Sequence, residues 1–197
     1  MKKLVFGLAT AVAMMFAVQS NAQEGVASVG VELAVPMGDF GDAANFGYGV
    51  SAQYEFGLTS NIALNLNAGA IFYAMEMDGF SFTHIPIQVG ARYYLSEQRE
   101  GLFLGLKAGL HLGLSKMDDF DFGGITVEGG SDSDANFSFA PEVGYYITEN
   151  ISLGLRYQLI TAGKQEVSTV DGSGNVVTTE VDGESSSYLG LRVAFNF

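Results

Sequence analysis

Residues 102–113 read LFLGLKAGLHLG. Leu102, Leu104, Leu106, Ala108, Leu110 and Leu112 are apolar, while Phe103, Gly105, Lys107, Gly109, His111 and Gly113 between them are mostly small or polar. Successive side chains of a β-strand point to opposite faces, so this period of two predicts a strand with one apolar face. The same alternation recurs in residues 27–35, 46–56, 62–72, 85–95, 137–147, 151–159 and 189–197. Each of these eight runs is close to the ~9 to 11 residues a tilted strand needs to cross a bilayer. No charge falls on any apolar face. The predicted fold is all-β: an eight-stranded antiparallel up-and-down transmembrane β-barrel.

Alternation alone leaves open which face points inward, and a soluble lipocalin-like barrel with an apolar interior is the competing architecture. Three observations favour lipid outside. The polar faces carry only Glu32, Glu55, Glu142, Arg92, Lys107, Arg156 and Arg192 as charges. That is far below the ~25 to 35% expected of a water-facing surface. Those charges are nearly balanced, as a confined interior requires, although the chain as a whole is strongly acidic. An eight-stranded interior also has no room for more than forty mostly large apolar side chains. Finally, the aromatic residues fall into two belts. Phe46, Phe72, Phe137, Phe139 and Tyr157 lie toward one end, and Phe56, Tyr93, Tyr145, Phe195 and Phe197 toward the other, as in the girdles of a lipid-embedded band.

The connections sort the two ends. Residues 57–61, 96–100 and 148–150 make short turns; residues 36–45, 74–83, 116–136 and 162–187 make long loops. Outer-membrane barrels keep short turns in the periplasm, so both termini are expected there and the long loops outside. The loops are acidic, with Asp118, Asp119, Asp121, Glu128, Asp132 and Asp134 in the third. In the fourth, residues 166–170 and 176–181 flank Asp171-Gly172-Ser173-Gly174-Asn175, a hairpin signal that would carry the last two strands above the membrane.

Upstream, Lys2 and Lys3 precede an apolar stretch over residues 4–18, and Ser20-Asn21-Ala22 supplies small residues for signal peptidase. Residues 1–22 therefore read as a signal peptide cleaved between Ala22 and Gln23, leaving residues 23–197 as one barrel domain. The whole chain of 197 residues carries −13, and losing the two leader lysines takes it to −15. Such acidity excludes an electrostatic nucleic-acid binder, and the absence of cysteine excludes disulfides and thiolate metal sites.

Pro36-Met37-Gly38-Asp39-Phe40, then Ile85-Pro86-Ile87-Gln88-Val89-Gly90-Ala91-Arg92-Tyr93-Tyr94, then Gly190-Leu191-Arg192-Val193-Ala194-Phe195-Asn196-Phe197 resemble segments of the small outer-membrane β-barrels. That family includes outer-membrane proteins A and X and the PorT-like barrels, and the resemblance covers essentially all of residues 23–197. It implies a terminal signal, Gly190, Val193, Phe195 and Phe197, read by the outer-membrane assembly machinery, although two residues extend beyond the family's alignment. It also implies contact with outer-membrane lipid and lipopolysaccharide, and no separate peptidoglycan-binding domain. It names no activity, because family members include structural barrels, adhesins and narrow channels.

Catalysis has little support. Some small barrels hydrolyse lipid A with a His two residues before a Ser, but Gly113 follows His111 and Pro86 follows His84 at that spacing. His111 is expected as a packed interior group beside Lys107. The acidic loops lack the spacing of a Ca²⁺-binding loop, so no cofactor, metal or catalytic residue is assigned. The seven interior charges and His111 are expected to hold the barrel closed; lining a narrow channel for ions or small solutes is the alternative. The expected role is envelope-structural or adhesive, through loops that meet an extracellular ligand, in a monomer.

Overall fold

The computed structural model describes residues 23–75, 79–122, 125–161, 164–170, 176–182 and 185–197. The expected signal peptide and the turn at residues 171–175 lie outside them. Eight strands close into one barrel: β1 (Gln23–Met37), β2 (Ala44–Gly57), β3 (Ile62–Met75), β4 (Phe80–Tyr94), β5 (Leu102–Met117), β8 (Gly130–Tyr146), β9 (Ile151–Ile160) and β12 (Ser186–Asn196). Each pairs antiparallel with its neighbour along the chain, and β1 pairs with β12 to complete the ring. Two short hairpins stand apart from it, β6 (Phe120–Phe122) with β7 (Ile125–Val127), and β10 (Lys164–Val170) with β11 (Val176–Asp182). A five-residue helix, α1 (Asp39–Ala43), joins β1 to β2.

The ladder has a measurable stagger. From Ile160 on β9, directly opposed partners run through Ser138, Gly109, Gln88, Asn67, Gln53 and Ser28 to Asn196. The Asn196 N–H donates to the carbonyl of Asn150 at 2.8 Å, so one circuit returns ten residues away from Ile160. A stagger of this size accompanies a strand tilt of about 35 to 45°. Every partner on that circuit except Gly109 and Ile160 is polar, and all face inward.

Parity decides the faces as the alternation predicts. Val31, Leu33, Val50, Leu104, Phe137 and Phe195 are about half exposed, whereas Glu32, Glu55, Arg92, Lys107, Glu142, Arg156 and Arg192 are at most 5% exposed. The outside is thus an apolar wall and the inside a polar core, the reverse of a lipocalin.

At the end of the barrel that carries the short turns a local sequence repeats. Leu58-Thr59-Ser60-Asn61-Ile62 and Ile147-Thr148-Glu149-Asn150-Ile151 make the same turn. In each, the threonine Oγ1 accepts the N–H of the closing isoleucine at 3.0 Å. In each, the asparagine amide donates across to a neighbouring strand, to the carbonyl of Tyr94 or of Asn196, at 3.0 Å.

The outer ends differ from the expectation. β3 and β4 run to within a few residues of each other, so the connection expected over residues 74–83 shrinks, and β5 and β8 stay paired up to Met117 and Gly130. Pairing persists because each strand there still has a partner for its backbone, whatever its side chains. The hairpin expected in the fourth loop is present, with Val170 opposite Val176, but β10 and β11 form their own two-stranded sheet.

Candidate functional site in the barrel lumen

Three layers fill the lumen. At the short-turn end, Tyr94, Phe103 and Tyr146 make a triangle of rings with centroids 5.7 to 6.0 Å apart. Above it lies the charged layer. Arg92 on β4 donates to Glu55 on β2 at 3.0 Å and to Glu142 on β8 at 3.2 Å, with its guanidinium 4.2 Å over the Phe103 ring. Lys107 on β5 reaches the same Glu142 at 3.2 Å, and Tyr94 donates its hydroxyl to Glu55 at 2.5 Å. On the other side of the barrel Glu32 meets Arg156 at 3.1 Å and Arg192 at 3.6 Å, and accepts the Ser51 hydroxyl at 2.5 Å. Every charge predicted for the interior therefore has an opposite partner within 4 Å, as burial demands.

The long side chains lie flat because glycines stand beside them. A Cβ at Gly30 would come 2.9 Å from Arg192 Nε, one at Gly190 3.1 Å from Arg156 Nε, and one at Gly154 2.9 Å from Glu142 Oε1. Gly90 leaves the same room for the Lys107 stem. The inward glycines thus hold the volume that the guanidinium, ammonium and carboxylate groups occupy.

The third layer is aromatic and lies at the mouth on the side of the long connections. His84 contacts the Tyr73 hydroxyl at 3.3 Å, His111 contacts that of Tyr188 at 3.2 Å, and the two imidazoles meet edge to face at 5.4 Å. Tyr188 also accepts from Arg156 at 3.5 Å, joining this layer to the charges below. Phe40 of α1 caps the mouth, 4.9 Å from the Tyr73 ring and 5.7 Å from Phe82 and His84. Gly38, at φ 62°, lets β1 turn into α1 and aim Phe40 inward.

The family model described as the outer membrane protein beta-barrel domain matches residues 7–196. The chain belongs to that family. The outer membrane is where this barrel resides, with its apolar wall in lipid. Solved structures with the same fold include the N-terminal β-barrel domain of Pseudomonas aeruginosa OprF, 15% identical over 90% of this chain and 100% of that one, with a TM-score of 0.51. Ail, the attachment invasion locus protein of Yersinia pestis, is 12% identical over 88% and 97%, with a TM-score of 0.57. Neisserial surface protein A is 17% identical over 90% and 100%, with a TM-score of 0.50. No curated protein matches the sequence significantly.

Within this outer membrane barrel, sequence parity gathers Glu32, Glu55, Glu142, Arg92, Lys107, Arg156 and Arg192 in one layer. His111 sits apart from Lys107, among the aromatic rings. The sequence reading places neither His84 nor Phe40 in the lumen. His84 shares the parity of Pro86 and Gln88, which could have placed it inside; nothing in the pattern marks Phe40, because its position depends on the helix. Of the terminal residues, Val193, Phe195 and Phe197 face outward, and Gly190 faces inward against Arg156. Outside the membrane, Lys116 donates to Asp118 at 2.8 Å, and that hydrogen bond raises the ammonium above its ordinary pKa. Among the described residues, no cluster of three His, Asp or Glu side chains could hold a metal ion.

Proposed function

We propose that this is a non-enzymatic outer-membrane barrel whose lumen is closed by its own side chains and whose extracellular connections meet partners, in an adhesive or envelope-structural role. The observation that carries the reading is the stacking of the three lumen layers: an aromatic triangle below, paired charges in the middle and the Tyr73, His84, His111, Tyr188 group under Phe40 above. A solute entering from either end meets rings first, and passing the middle would separate buried ion pairs, which costs several kcal/mol each. Among the described residues, the hydrogen-bond partners of the two histidine rings are the Tyr73 and Tyr188 hydroxyls, which are themselves packed among the rings of the mouth. Loops on a rigid scaffold are the usual carriers of binding. Lipopolysaccharide around the apolar wall, assembly through Gly190, Val193, Phe195 and Phe197, cleavage between Ala22 and Gln23, periplasmic termini and a monomeric state complete the proposal.

A narrow channel is the second reading. It is favoured by buried polar atoms with no hydrogen-bond partner among the described residues, Asn65 Oδ1 and Nδ2, Asn67 Oδ1 and Gln88 Oε1, which would suit water in the lumen. Planar-bilayer recording of the purified protein separates the two. Silence at neutral pH supports closure. Steady, ion-selective currents that vanish when the lumen is blocked would overturn it.

A further inference from the structure

The charged layer of the lumen is paired but not neutral. Among the described residues the buried charged side chains are Glu32, Glu55 and Glu142 against Arg92, Lys107, Arg156 and Arg192, one cation more than the carboxylates. Water would screen such an excess at a surface, but inside a closed barrel it stands uncompensated and is costly.

The hydrogen bonds show where the excess falls. Arg92 uses Nε, Nη1 and Nη2 on Glu142, Glu55 and Gln53. Arg192 donates to Ser51 at 2.8 Å and to Ser28 at 3.0 Å, and shares Glu32 with Arg156. Lys107 is the least provided. An ammonium has three N–H donors, and among the described residues that of Lys107 makes one hydrogen bond, to the Glu142 Oε1 that Arg92 also engages. Arg92, Arg156 and Arg192 all act on this ammonium as like charges.

A second unmet group stands beside it. Asn65 on β3 is fully buried, and neither its Oδ1 nor its Nδ2 has a hydrogen-bond partner among the described residues. Leaving a buried amide so costs more than an ordinary hydrogen bond returns. The ladder sets Asn65 opposite Gly90, and Gly90 opposite Lys107. A Cβ at Gly90 would come 2.9 Å from Asn65 Oδ1 and 2.8 Å from Lys107 Cγ, so the glycine lets the amide and the lysine stem converge over it. Glu55, the neighbour of Asn65 on β2, is already held by Arg92 and by the Tyr94 hydroxyl.

We propose that the lumen binds one small monovalent anion of the halide class, chloride in ordinary solution, between the Lys107 ammonium and the Asn65 amide. Turned with Nδ2 toward the ion, Asn65 donates one hydrogen bond, and the spare N–H groups of Lys107 donate the rest. A water molecule would satisfy the amide and leave the charge. A halide meets both needs, and because it is spherical it accepts from whichever directions the donors offer. Rings close the layer above and below, so the ion is taken up as the strands close and becomes part of the folded barrel. The inference rests on the closed lumen of the proposed function and adds a ligand to it.

The test uses the mature chain refolded in lipid vesicles and unfolded by urea, with potassium gluconate exchanged for potassium chloride at constant ionic strength. An ion held only by the folded state stabilises it by mass action. Above the dissociation constant, each tenfold rise in chloride should therefore lower the unfolding equilibrium constant about tenfold. Bromide should act likewise, and crystals grown in bromide should carry its anomalous signal between Lys107 and Asn65. Lys107→Met should abolish the dependence, whereas Lys116→Met, which removes the same charge from an exposed site, should keep it. Asn65→Asp places a carboxylate beside the ammonium, and should fold without chloride and be indifferent to it; this variant carries the test if Lys107→Met does not fold. Heat-shift migration on gels checks the fold of each. No chloride dependence in the wild type, an equal dependence in Lys107→Met or Asn65→Asp, or bromide bound at the surface as an adventitious ion only would overturn the proposal. A Lys107 ζ nitrogen found neutral by ¹⁵N NMR in chloride would overturn it too. Silent bilayers without chloride dependence remove the anion and leave the proposed function standing; conduction refutes that function whatever the titration shows.

Discussion

Replacing Glu142 by Gln is expected to destabilise the barrel through Lys107. Glu142 is shared: Arg92 and Lys107 both reach it at 3.2 Å. Arg92 retains Glu55 at 3.0 Å, but Lys107, with a fully buried side chain, has no other carboxylate within 4 Å among the described residues. Breaking a buried pair by removing one partner costs roughly 3 to 5 kcal/mol, and the glutamine carbonyl can still accept one bond, so about 3 kcal/mol is expected. Adding Lys107→Met should restore most of it, because swapping a whole buried pair for neutral groups of similar volume is often harmless. The coupling in the double-mutant cycle should then be about 2 kcal/mol or more, well above the scatter for independent sites. Urea titration in lipid vesicles, followed by the gel shift between folded and unfolded forms, reads all four proteins. A Glu142→Gln variant within about 0.5 kcal/mol of wild type would refute the reasoning, since Lys107 would then be hydrated in a wet lumen.

Arg156→Ala should cost a similar ~3 kcal/mol, at the low end because Glu32 keeps Arg192 and Ser51, and the same titration measures it. Gly154→Val should fail to reach the wild-type heat-shifted form, because its Cβ would press on Glu142 Oε1 at 2.9 Å. Phe40→Ala removes a half-buried ring from the mouth and is expected to cost ~1 to 2 kcal/mol while the barrel still assembles; a loss above that range would make the α1 cap part of the folding core. For topology, a Cys at Ser133 should react with an impermeant reagent on intact cells and one at Gln98 should not.

The fold was legible because lipid and lumen impose opposite demands on alternate residues. A period of two read from Leu102 to Leu112 sorts every side chain of β5, and it did the same for Glu32, Arg92 and Arg156 on their strands. Which charge meets which was hidden. Arg92 finds Glu55 and Glu142 across strands separated by 37 and 50 residues, and only the stagger of the ladder brings them together. The strand ends above the membrane were hidden for another reason: Phe80, Ser81 and residues 130–136 pair through backbone groups that carry no sequence signature. Phe40 needed a helix too short to show a period of 3.6.

The glycines beside the interior charges also bear on how the ladder selects its register during assembly. A one-residue slip turns the apolar face into the lumen and is excluded by lipid, but a two-residue slip keeps every face correct. In the native register Arg92 opposes Gly105 on β5, and Arg192 opposes Gly154 on β9. A slip of two in one direction would set Arg92 directly across from Lys107; in the β12 and β9 pair it would set Arg192 across from Arg156. Like charges opposed on adjacent strands repel. A slip of the other sign replaces Gly105 by Phe103 directly across from Arg92, so the opposed position no longer leaves room for the stem of the side chain. The same residues that fill the lumen therefore act as a keying device, penalising the misalignments that membrane partitioning alone would let through.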